Sequence, residues 1–369
     1  MRKKAVHRPR CGRFANGQPG GDCSIDSQID IVRCYRFAVA FKEFAESDAN
    51  QIAVQALRDR ILPWYWDNQR DLPWRKTRDP YGLVVAEFML QQTGVDRVSG
   101  RWTQFLLRFP SWKSLSDASA GDVIREWQGL GYNRRALNLH RLATRVVQEF
   151  GGTLPDDRKT LLTLPGIGPY TVAAIQSFVF DLDEPSIDVN LIRVLARSVL
   201  GLEKAPVALI EPIARRSLPA GQSAHWNQAL MDFAAIQCTL RRPRCMLCPL
   251  LDACAYARNG PPARSDQSIG MAIEPHMVID RPYATGTASC ERRVAEKPAA
   301  YAGSTRYFRG RIIDRLRSLA SGESVCSTEL KNGLLDHSGA NSIDFERLLR
   351  DLAKEGMIVS DVFGRIRLP

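Results

Sequence analysis

Apolar residues recur at helical spacing along most of the chain, from about residue 51 to about residue 258. Short stretches rich in Pro and Gly, such as RDP, RFP and FGGTLP, separate these segments and are typical of helix ends and turns. We find no convincing alternation of apolar and polar residues, which would indicate half-buried strands. The pattern therefore predicts an all-α domain over residues 51–258.

The regions on either side of this helical block have different patterns. Residues 1–50 and 259–304 show no sustained period, and we interpret them as a flexible N-terminal extension and a linker. In residues 305–369, GRIIDRLRSL and DFERLLRDLAKEG have the spacing of amphipathic helices, and MIVSDVFGRIRLP has the pattern of a small β-hairpin. Helices followed by a hairpin predict a small winged-helix-like module at the C-terminal end.

The stretch LPGIGPYTVAAI places a glycine-containing turn immediately before a helix. We expect one helix to end near Thr163 and the next to begin near Pro169, because proline suits the first helical position. Gly166 and Gly168 would allow the positive φ values and the close backbone approach of a tight turn. Such a turn either joins two helices and does nothing more, or it points free N–H groups at a phosphate. The pattern is that of a helix-hairpin-helix, which binds DNA without reading its sequence.

Two carboxylates occupy contrasting positions in this predicted domain. Glu87 is the only charged residue in YGLVVAEFML, whose apolar residues cover nearly the whole helix surface. Burial would raise its pKa towards that of a general acid, whereas exposure or a salt bridge would make it structural. Asp188 stands where a helix begins. This position favours the charged form of a carboxyl, but it is also the position of an ordinary N-cap. A neutral acid beside an anion is the arrangement that cleaves glycosidic bonds, including the N-glycosidic bonds of DNA.

The net charge and the absence of membrane signals narrow the class of protein. A formal charge of +11 over 369 residues favours a polyanionic partner, most often nucleic acid. No apolar run approaches the ~20 residues of a membrane helix, and no signal-peptide core follows the basic start. We therefore expect a cytoplasmic, nucleoid-associated protein that has no membrane contact and is a monomer.

Four of the nine cysteines crowd into residues 238–254 with the spacing C-x6-C-x2-C-x5-C. In a cytoplasmic protein this crowding indicates a metal group rather than disulfides. Zinc is the simpler alternative, but the paired C-x2-C motifs of zinc ribbons are missing, so we favour one [4Fe-4S] cluster. Arginines inside the loop would then face a phosphate backbone, or they are only a solvated basic run. The predicted cluster ligands are Cys238, Cys245, Cys248 and Cys254, and the arginines are Arg241, Arg242 and Arg244.

Together, these motifs resemble the helix-hairpin-helix DNA glycosylase superfamily, and in particular its iron–sulfur branch. The motifs DLPWR, AEFMLQQT and GLGY are similar to those of MutY-type adenine DNA glycosylases, over roughly residues 55–258. The resemblance implies an endonuclease III-like fold of two subdomains with a [4Fe-4S] cluster loop. It also implies a monofunctional base excision repair enzyme, which removes adenine mispaired with 8-oxoguanine or guanine from double-stranded DNA.

The resemblance assigns roles to individual positions. Glu87 matches the acid that protonates adenine, and Asp188 matches the carboxylate that stabilises the sugar cation. Tyr170 stands where strand-cleaving relatives have a catalytic lysine, and because a phenol cannot form a Schiff base, a water-using enzyme is implied. Gln92 and Tyr132 match residues that wedge into the base stack and help to extrude the target base. The residues that match the wall of the adenine pocket are Arg70, Leu72, Trp74 and Arg75.

Two departures from the family pattern leave alternatives open. Val189 follows the matched aspartate where the family usually has glycine, and a thymine glycosylase of the same branch, acting on T:G mismatches, also carries a non-glycine residue there. The MLQQT motif favours the adenine enzymes. No equivalent of the Phe-Ser-His loop that reads 8-oxoguanine occurs between residues 260 and 369.

A non-catalytic DNA-binding or damage-sensing module is the alternative outside the enzymes. Binding alone, however, has no need of both Glu87 and Asp188.

Overall fold

The structure, a computed structural model, describes residues 48–258, 304–335 and 344–369. The predicted extension, residues 1–50, and the predicted linker, residues 259–304, lie outside these ranges except for residues 48–50 and 304. The described part of the chain is mainly helical, as predicted, and its short strands all follow residue 304. None of its helices is both long enough and apolar enough to cross a membrane.

Residues 48–258 form a succession of mostly short helices, whose first turns are often capped by polar side chains. Asp79, for example, accepts hydrogen bonds from the backbone N–H groups of Tyr81 and Gly82 at the start of the second helix. The helices are α1 (Asp48–Asn68), α2 (Pro80–Leu90), α3 (Val95–Arg108), α4 (Trp112–Asp117), α5 (Ala120–Glu126), α6 (Arg134–Phe150), α7 (Arg158–Thr163), α8 (Pro169–Phe178), α9 (Val189–Leu195), α10 (Val207–Ser217), α11 (Ser223–Ile236) and α12 (Ala255–Arg258), with 3-10 turns at Pro73–Arg75 and Cys245–Leu247 and a π turn at Ala196–Leu200 after α9.

These helices pack around two separate hydrophobic cores. Helices α2 to α8 share the first core, in which Trp127 and Phe105 are fully buried. Helix α1 packs with α9, α10 and α11 around the second core, which contains Trp226 and Phe233. Helix α2 is buried on nearly all sides, which explains why its sequence is apolar throughout. The two cores correspond to the two subdomains that the resemblance implies.

A buried polar network joins α8 to α11 between the two cores. The fully buried Asn227 on α11 donates from Nδ2 to Ser177 Oγ (2.9 Å) and to the backbone oxygen of Glu184 (2.8 Å). Its Oδ1 accepts the N–H of Ser186 (3.0 Å), and Ser223 Oγ also donates to Ser177 Oγ (2.9 Å). An unpaired buried amide would cost about 1–3 kcal/mol, so the satisfied network favours one relative position of the two halves.

The helix-hairpin-helix lies where the sequence predicts it, with α7 ending at Thr163 and α8 beginning at Pro169. Gly166 has a φ of 78°, and a Cβ on it would lie 2.7 Å from the ring of Phe88, so this position requires glycine. The expectation for Gly168 is wrong, because its φ is −104° and a Cβ there would have no neighbour within 4 Å. Gly168 is instead the N-cap of α8, which has no side-chain cap.

Residues 304–335 and 344–369 form a third body with its own core, which we call the C-terminal module. Its three strands, β1 (Val325–Cys326), β2 (Val359–Ser360) and β3 (Arg365–Arg367), pair antiparallel in the order β1-β3-β2. The β2–β3 hairpin agrees with the sequence prediction, whereas β1 and the helix after it were not predicted. The helices followed by a hairpin support the predicted winged-helix-like module in part. The elements are α13 (Thr305–Arg317), β1 (Val325–Cys326), α14 (Ser327–Leu335), α15 (Phe345–Lys354), β2 (Val359–Ser360) and β3 (Arg365–Arg367).

The C-terminal module packs directly on α5 and α6. Ile124 and Leu137, from these two helices, are part of the module's hydrophobic core. The backbone N–H of Gly121 donates to the carbonyl oxygen of Pro369 (2.8 Å). The guanidinium of Arg317, whose side chain is only 6% exposed, donates from Nε to the carbonyl oxygen of Ile124 (2.9 Å). Shared apolar burial and buried hydrogen bonds therefore hold the module against the first helical half.

The contact at Gly121 predicts a specific loss of stability. A Cβ on Gly121 would overlap the carbonyl oxygen of Pro369, so the substitution Gly121→Ala must displace the docked end of the module. We expect Gly121→Ala to lower the free energy of unfolding by about 1–3 kcal/mol, as measured by chemical denaturation. The matched control is Gly310→Ala on α13, where a Cβ meets nothing within 4 Å. Because alanine has the better helix propensity, this substitution should raise the free energy of unfolding. Equal effects of the two substitutions would contradict the docking.

Candidate active site

A single cavity contains the side chains that the sequence marks for catalysis and for the base pocket. It is lined by residues from both helical halves and has a volume of about 260 Å³. Because one water molecule occupies roughly 30 Å³, the cavity has room for a planar heterocycle. All four predicted wall residues and all three predicted catalytic residues line it: Arg70, Leu72, Trp74, Arg75, Glu87, Tyr170 and Asp188.

Helix α2 carries Glu87 to this cavity. Its side chain is half-buried by surface area because it faces the open space, but its neighbours Ala86 and Phe88 are fully buried and protein surrounds the carboxyl. Burial raises the pKa of Glu87 to about 7; a hydrogen bond donated by the Tyr170 hydroxyl opposes this rise, and the nearby charge of Asp188 adds to it. A carboxyl with this pKa holds its proton for much of the time at neutral pH and can act as a general acid.

Asp188 is the N-cap of α9 and also faces the cavity. Its carboxylate accepts hydrogen bonds from the backbone N–H of Asn190 (2.9 Å) and of Leu191 (2.7 Å), and from Asn190 Nδ2 (2.6 Å). These three donors and the helix dipole stabilise the charged form. The capping role and the position in the cavity are therefore compatible. Val189, which departs from the family pattern, is the first residue of α9, and its side chain is 75% exposed.

Tyr170 lies beside both carboxyl groups, on the first turn of α8. Burial raises its pKa well above the usual value, and the charges of Glu87 and Asp188 raise it further. The phenol therefore stays protonated and donates its hydrogen bond to Glu87. No lysine is among the residues that line the described cavity, so an amine for Schiff-base chemistry is not present there.

Asp232, which no sequence pattern marked, fixes two walls of the cavity. Asp232 is fully buried on α11 and accepts two hydrogen bonds from the Arg75 guanidinium, at 2.7 and 2.9 Å. It also accepts from Arg70, through Nε (2.7 Å) and through the backbone N–H (3.0 Å). Burial alone would raise the pKa of Asp232, but the bonds with the two arginines lower it overall. No local signal marks this residue, because its partners lie about 160 positions earlier in the chain.

The predicted wedge residues Gln92 and Tyr132 lie outside the cavity on two adjoining loops. Both residues are exposed and have left-handed backbone conformations, with φ of 57° and 47°. The buried Arg135, which the sequence analysis also missed, donates to the carbonyl oxygens of Gln91 (2.5 Å) and Leu130 (3.0 Å), one on each loop. Positive φ costs about 1 kcal/mol or more per non-glycine residue, so such cross-loop bonds are needed to hold the conformation.

The four predicted cluster ligands line a second cavity, formed by the loop 238–254. None of the four forms a disulfide. In the ranges that the structure describes, no three His, Cys, Asp or Glu side chains group closely as a site for one metal ion. The buried guanidinium of Arg197 donates to the carbonyl oxygens of Thr239 (2.8 Å) and Leu240 (3.0 Å), and it approaches Cys238 Sγ at 3.8 Å. Four thiols around one space, with a donor directed at sulfur, fit the ligand set of an iron–sulfur cluster.

The predicted arginines of this loop and the hairpin glycines also lie outside the cavity of Glu87. Arg241, Arg242 and Arg244 are exposed, which is compatible with contact to a phosphate backbone as well as with a solvated basic run. Gly166 is exposed in the hairpin, and Gly168 is half-buried at the start of α8. The structure thus separates the residues predicted for chemistry from those predicted for holding DNA.

The fold and this site define a helix-hairpin-helix DNA repair glycosylase. Residues 85–219 match the family model described as the HhH-GPD superfamily base excision DNA repair protein. The chain is also 35% identical, over 314 residues, to the adenine DNA glycosylase of Mycobacterium tuberculosis (strain CDC 1551 / Oshkosh), an alignment that covers 84% of this chain and 92% of that protein. The chain therefore belongs to the family of the adenine DNA glycosylases.

Relatives of another specificity match a smaller part of the chain. The thymine/uracil-DNA glycosylase of Methanothermobacter thermautotrophicus is 33% identical over 201 residues, covering 53% of this chain and 90% of that protein. The solved structure of a thermostable thymine-DNA glycosylase matches with a TM-score of 0.53 and 30% identity, over 58% of this chain and all of that one. The helical domain alone therefore does not separate the two specificities, whereas the mycobacterial alignment extends over most of the chain.

The raised pKa of Glu87 predicts a pH-dependent stability. The folded chain retains the Glu87 proton up to about pH 7, whereas the unfolded chain releases it near pH 4.5. The stabilisation of the folded state by this proton is therefore fully present below about pH 4.5 and is lost as the pH rises through 7. The substitution Glu87→Gln removes this loss. We expect the unfolding free energy of the variant, relative to the wild type, to rise by about 2–3 kcal/mol between about pH 5 and pH 8. A difference that is constant with pH in chemical denaturation would show that Glu87 is not buried as described.

Proposed function

We propose that this protein is a monofunctional adenine DNA glycosylase of base excision repair, acting as a monomer at the chromosomal DNA on adenine opposite 8-oxoguanine or guanine. The observation that carries the proposal is the shared cavity of Glu87 and Asp188. Cleavage of an N-glycosidic bond needs an acid for the departing base and an anion for the sugar cation. Glu87 has the pKa of such an acid, and Asp188 has the hydrogen bonds that stabilise an anion.

In the proposed reaction the two carboxyl groups act in sequence. Glu87 gives its proton to a ring nitrogen of adenine, and the bond between the base and the sugar C1′ breaks with its electron pair leaving on the base. The Asp188 carboxylate stabilises the sugar cation that remains. Water then adds to C1′, and Glu87, now a carboxylate, accepts the released proton. The products are free adenine and an abasic site, and no Schiff base with the sugar forms, since Tyr170 is a protonated phenol.

The pocket walls support a planar base as the leaving group. Leu72 and Trp74 are buried apolar residues, and the guanidinium groups of Arg70 and Arg75 are held by Asp232. Gln228, which the sequence analysis missed, also lines the cavity, and its Oε1 accepts the hydroxyl of Tyr65 (2.9 Å). Apolar faces with a few fixed polar groups at the edges suit a heterocycle that must be oriented as well as bound.

The proposed DNA contacts lie around this pocket. The hairpin at Gly166 and Gly168, with the uncapped N-terminus of α8, would bind phosphates through backbone N–H groups. Arg241, Arg242 and Arg244 would extend this contact along the backbone. Exposed side chains on strained loops, Gln92 and Tyr132, would enter the base stack and offset the few kcal/mol that extruding a base requires.

Thymine or uracil excision from T:G or U:G mismatches is the second candidate function. The observation that favours it is Val189, which is exposed directly beside Asp188 in place of the glycine usual among adenine enzymes. The similarity to the Methanothermobacter thermautotrophicus enzyme, named thymine/uracil-DNA glycosylase, supports the same alternative.

A panel of labelled duplexes containing A:8-oxoguanine, A:G, T:G and U:G pairs tests the proposal. We expect free adenine from the first two duplexes, and a strand that stays intact until alkali is added. The Glu87→Gln variant should lose about two to four orders of magnitude in the single-turnover rate, because the general acid is removed, and should bind DNA nearly as tightly as the wild type. The matched control is Glu149→Gln, which changes an exposed carboxyl on α6 paired with Arg145 and should keep the full rate.

Each opposite outcome has a defined meaning. Release of thymine or uracil without adenine would assign the second function. A prompt nick through an adduct that borohydride traps would show that the interpretation of Tyr170 is wrong. A wild-type rate in Glu87→Gln would remove the general-acid role, and duplex binding without release of any base would leave a DNA-binding module.

The proposal includes one [4Fe-4S] cluster, held by Cys238, Cys245, Cys248 and Cys254. Its role would be to keep the loop 238–254 rigid, so that the three exposed arginines present a fixed surface to the phosphates. We expect the purified chain to contain about four irons, and Cys248→Ser to lose iron and bind DNA more weakly, whereas the control Cys326→Ser in the C-terminal module should keep both. One zinc per chain, without iron, would contradict the cluster.

A further inference from the structure

The C-terminal module reaches the loop that carries Tyr132. The guanidinium of Arg306, on the first turn of α13, lies 4.2 Å from the centroid of the Tyr132 ring. At the other end of α13, Arg317 Nη2 donates to the side-chain oxygen of Asn133 (2.7 Å), the residue after Tyr132. A cation at this distance from an aromatic ring is attracted to its face. The module therefore adjoins the proposed wedge.

The position of Arg306 is fixed by several independent attachments of the module. One is the backbone hydrogen bond between Gly121 and Pro369 described above. A second joins Arg141 Nη2 on α6 to the carbonyl oxygen of Glu355 (3.1 Å), and Glu355 also pairs with Arg309 on α13 (2.6 Å). Because these contacts lie on different elements of the module, α13 is held along its length, and Arg306 keeps its place beside the loop.

Positive charge is concentrated around the exposed ring of Tyr132. Arg135 lies on the same ring, with its guanidinium carbon 5.6 Å from the centroid. Arg101 approaches the same loop, because its Nη2 would be 3.7 Å from a Cβ on Gly129. Helix α13 contains five arginines and one acidic residue in TRYFRGRIIDRLR, and three of these arginines, Arg309, Arg315 and Arg317, pair with carboxylates. Like charges gathered around an exposed aromatic side chain are complementary to a polyanion that offers bases for stacking.

We propose that the C-terminal module is part of the DNA-binding surface, and that Arg306 contacts a backbone phosphate of the duplex beside Tyr132. The proposal rests on the proposed function, since it takes the Tyr132 loop to face DNA. Arg306 would be a third DNA contact, besides those of the hairpin and the cluster loop. It lies on a module that has its own hydrophobic core. In the free protein the Arg306 guanidinium lies over the ring, and when the ring enters the base stack the guanidinium, in the same place, faces the phosphates that flank it.

Salt-dependent binding of a plain duplex by the full-length chain tests this contact. All proteins carry Glu87→Gln, so that no base is released during the measurement. Loss of one phosphate contact should make the negative slope of log K against log salt less steep by about 0.9, and we expect this change for Arg306→Ala. Arg306→Lys should retain the slope, because an ammonium also neutralises a phosphate. The matched control is Arg315→Ala on the same helix, where Arg315 pairs with Glu329 inside the module (3.7 Å) and the slope should not change.

Two results would overturn the proposal. If Arg306→Ala gives the same slope and affinity as Arg315→Ala, the module does not contact DNA through this residue. If the slope is unchanged but extrusion of a fluorescent base analogue is slower, Arg306 only positions the Tyr132 ring. Neither measurement depends on base excision, whereas the duplex panel on the wild type does, so failure of the proposed function and failure of this contact are distinguishable.

Discussion

The proposed chemistry depends on two carboxyl groups, carried by different halves of the fold, that must keep a fixed separation. Glu87 stands on α2, a helix of the first hydrophobic core, and Asp188 caps α9, a helix of the second, so neither core alone determines their distance. The buried network of Asn227 supplies this constraint on one side of the cavity. On another side, Asp232 of the second half pairs with Arg75 at the edge of the first. Buried polar groups tolerate few alternative partners, so these contacts define the cavity more sharply than apolar packing would.

The same cavity holds the proposed acid and the proposed anion in contrasting surroundings. Glu87 is set in an apolar helix, where burial favours the protonated form, whereas Asp188 takes the N–H groups of a helix start, which favour the charged form. The hydroxyl of Tyr170 touches the acid and limits the rise of its pKa to a useful range. The proposed division of roles therefore follows from local secondary structure.

The sequence predicted the parts of the structure that depend on local patterns. The apolar surroundings of Glu87, the cap position of Asp188 and the turn before α8 can each be read within a dozen residues, and all three are observed. Asp232 and Arg135 could not be found in this way, because a charged residue in an amphipathic helix usually faces solvent, and only distant parts of the chain reveal their burial. The attachment of the C-terminal module to α5 and α6 was missed for the same reason, since it depends on contacts between remote segments.

Gly166 connects the proposed phosphate-binding turn with the helix that carries the proposed general acid. The proposed phosphate-binding turn packs directly on the ring of Phe88, and Phe88 is the neighbour of Glu87 on α2. Only Phe88 thus separates the proposed phosphate-binding turn from the proposed proton donor. If the turn binds phosphate as proposed, the fit of the sugar–phosphate chain bears on the same helix that carries Glu87.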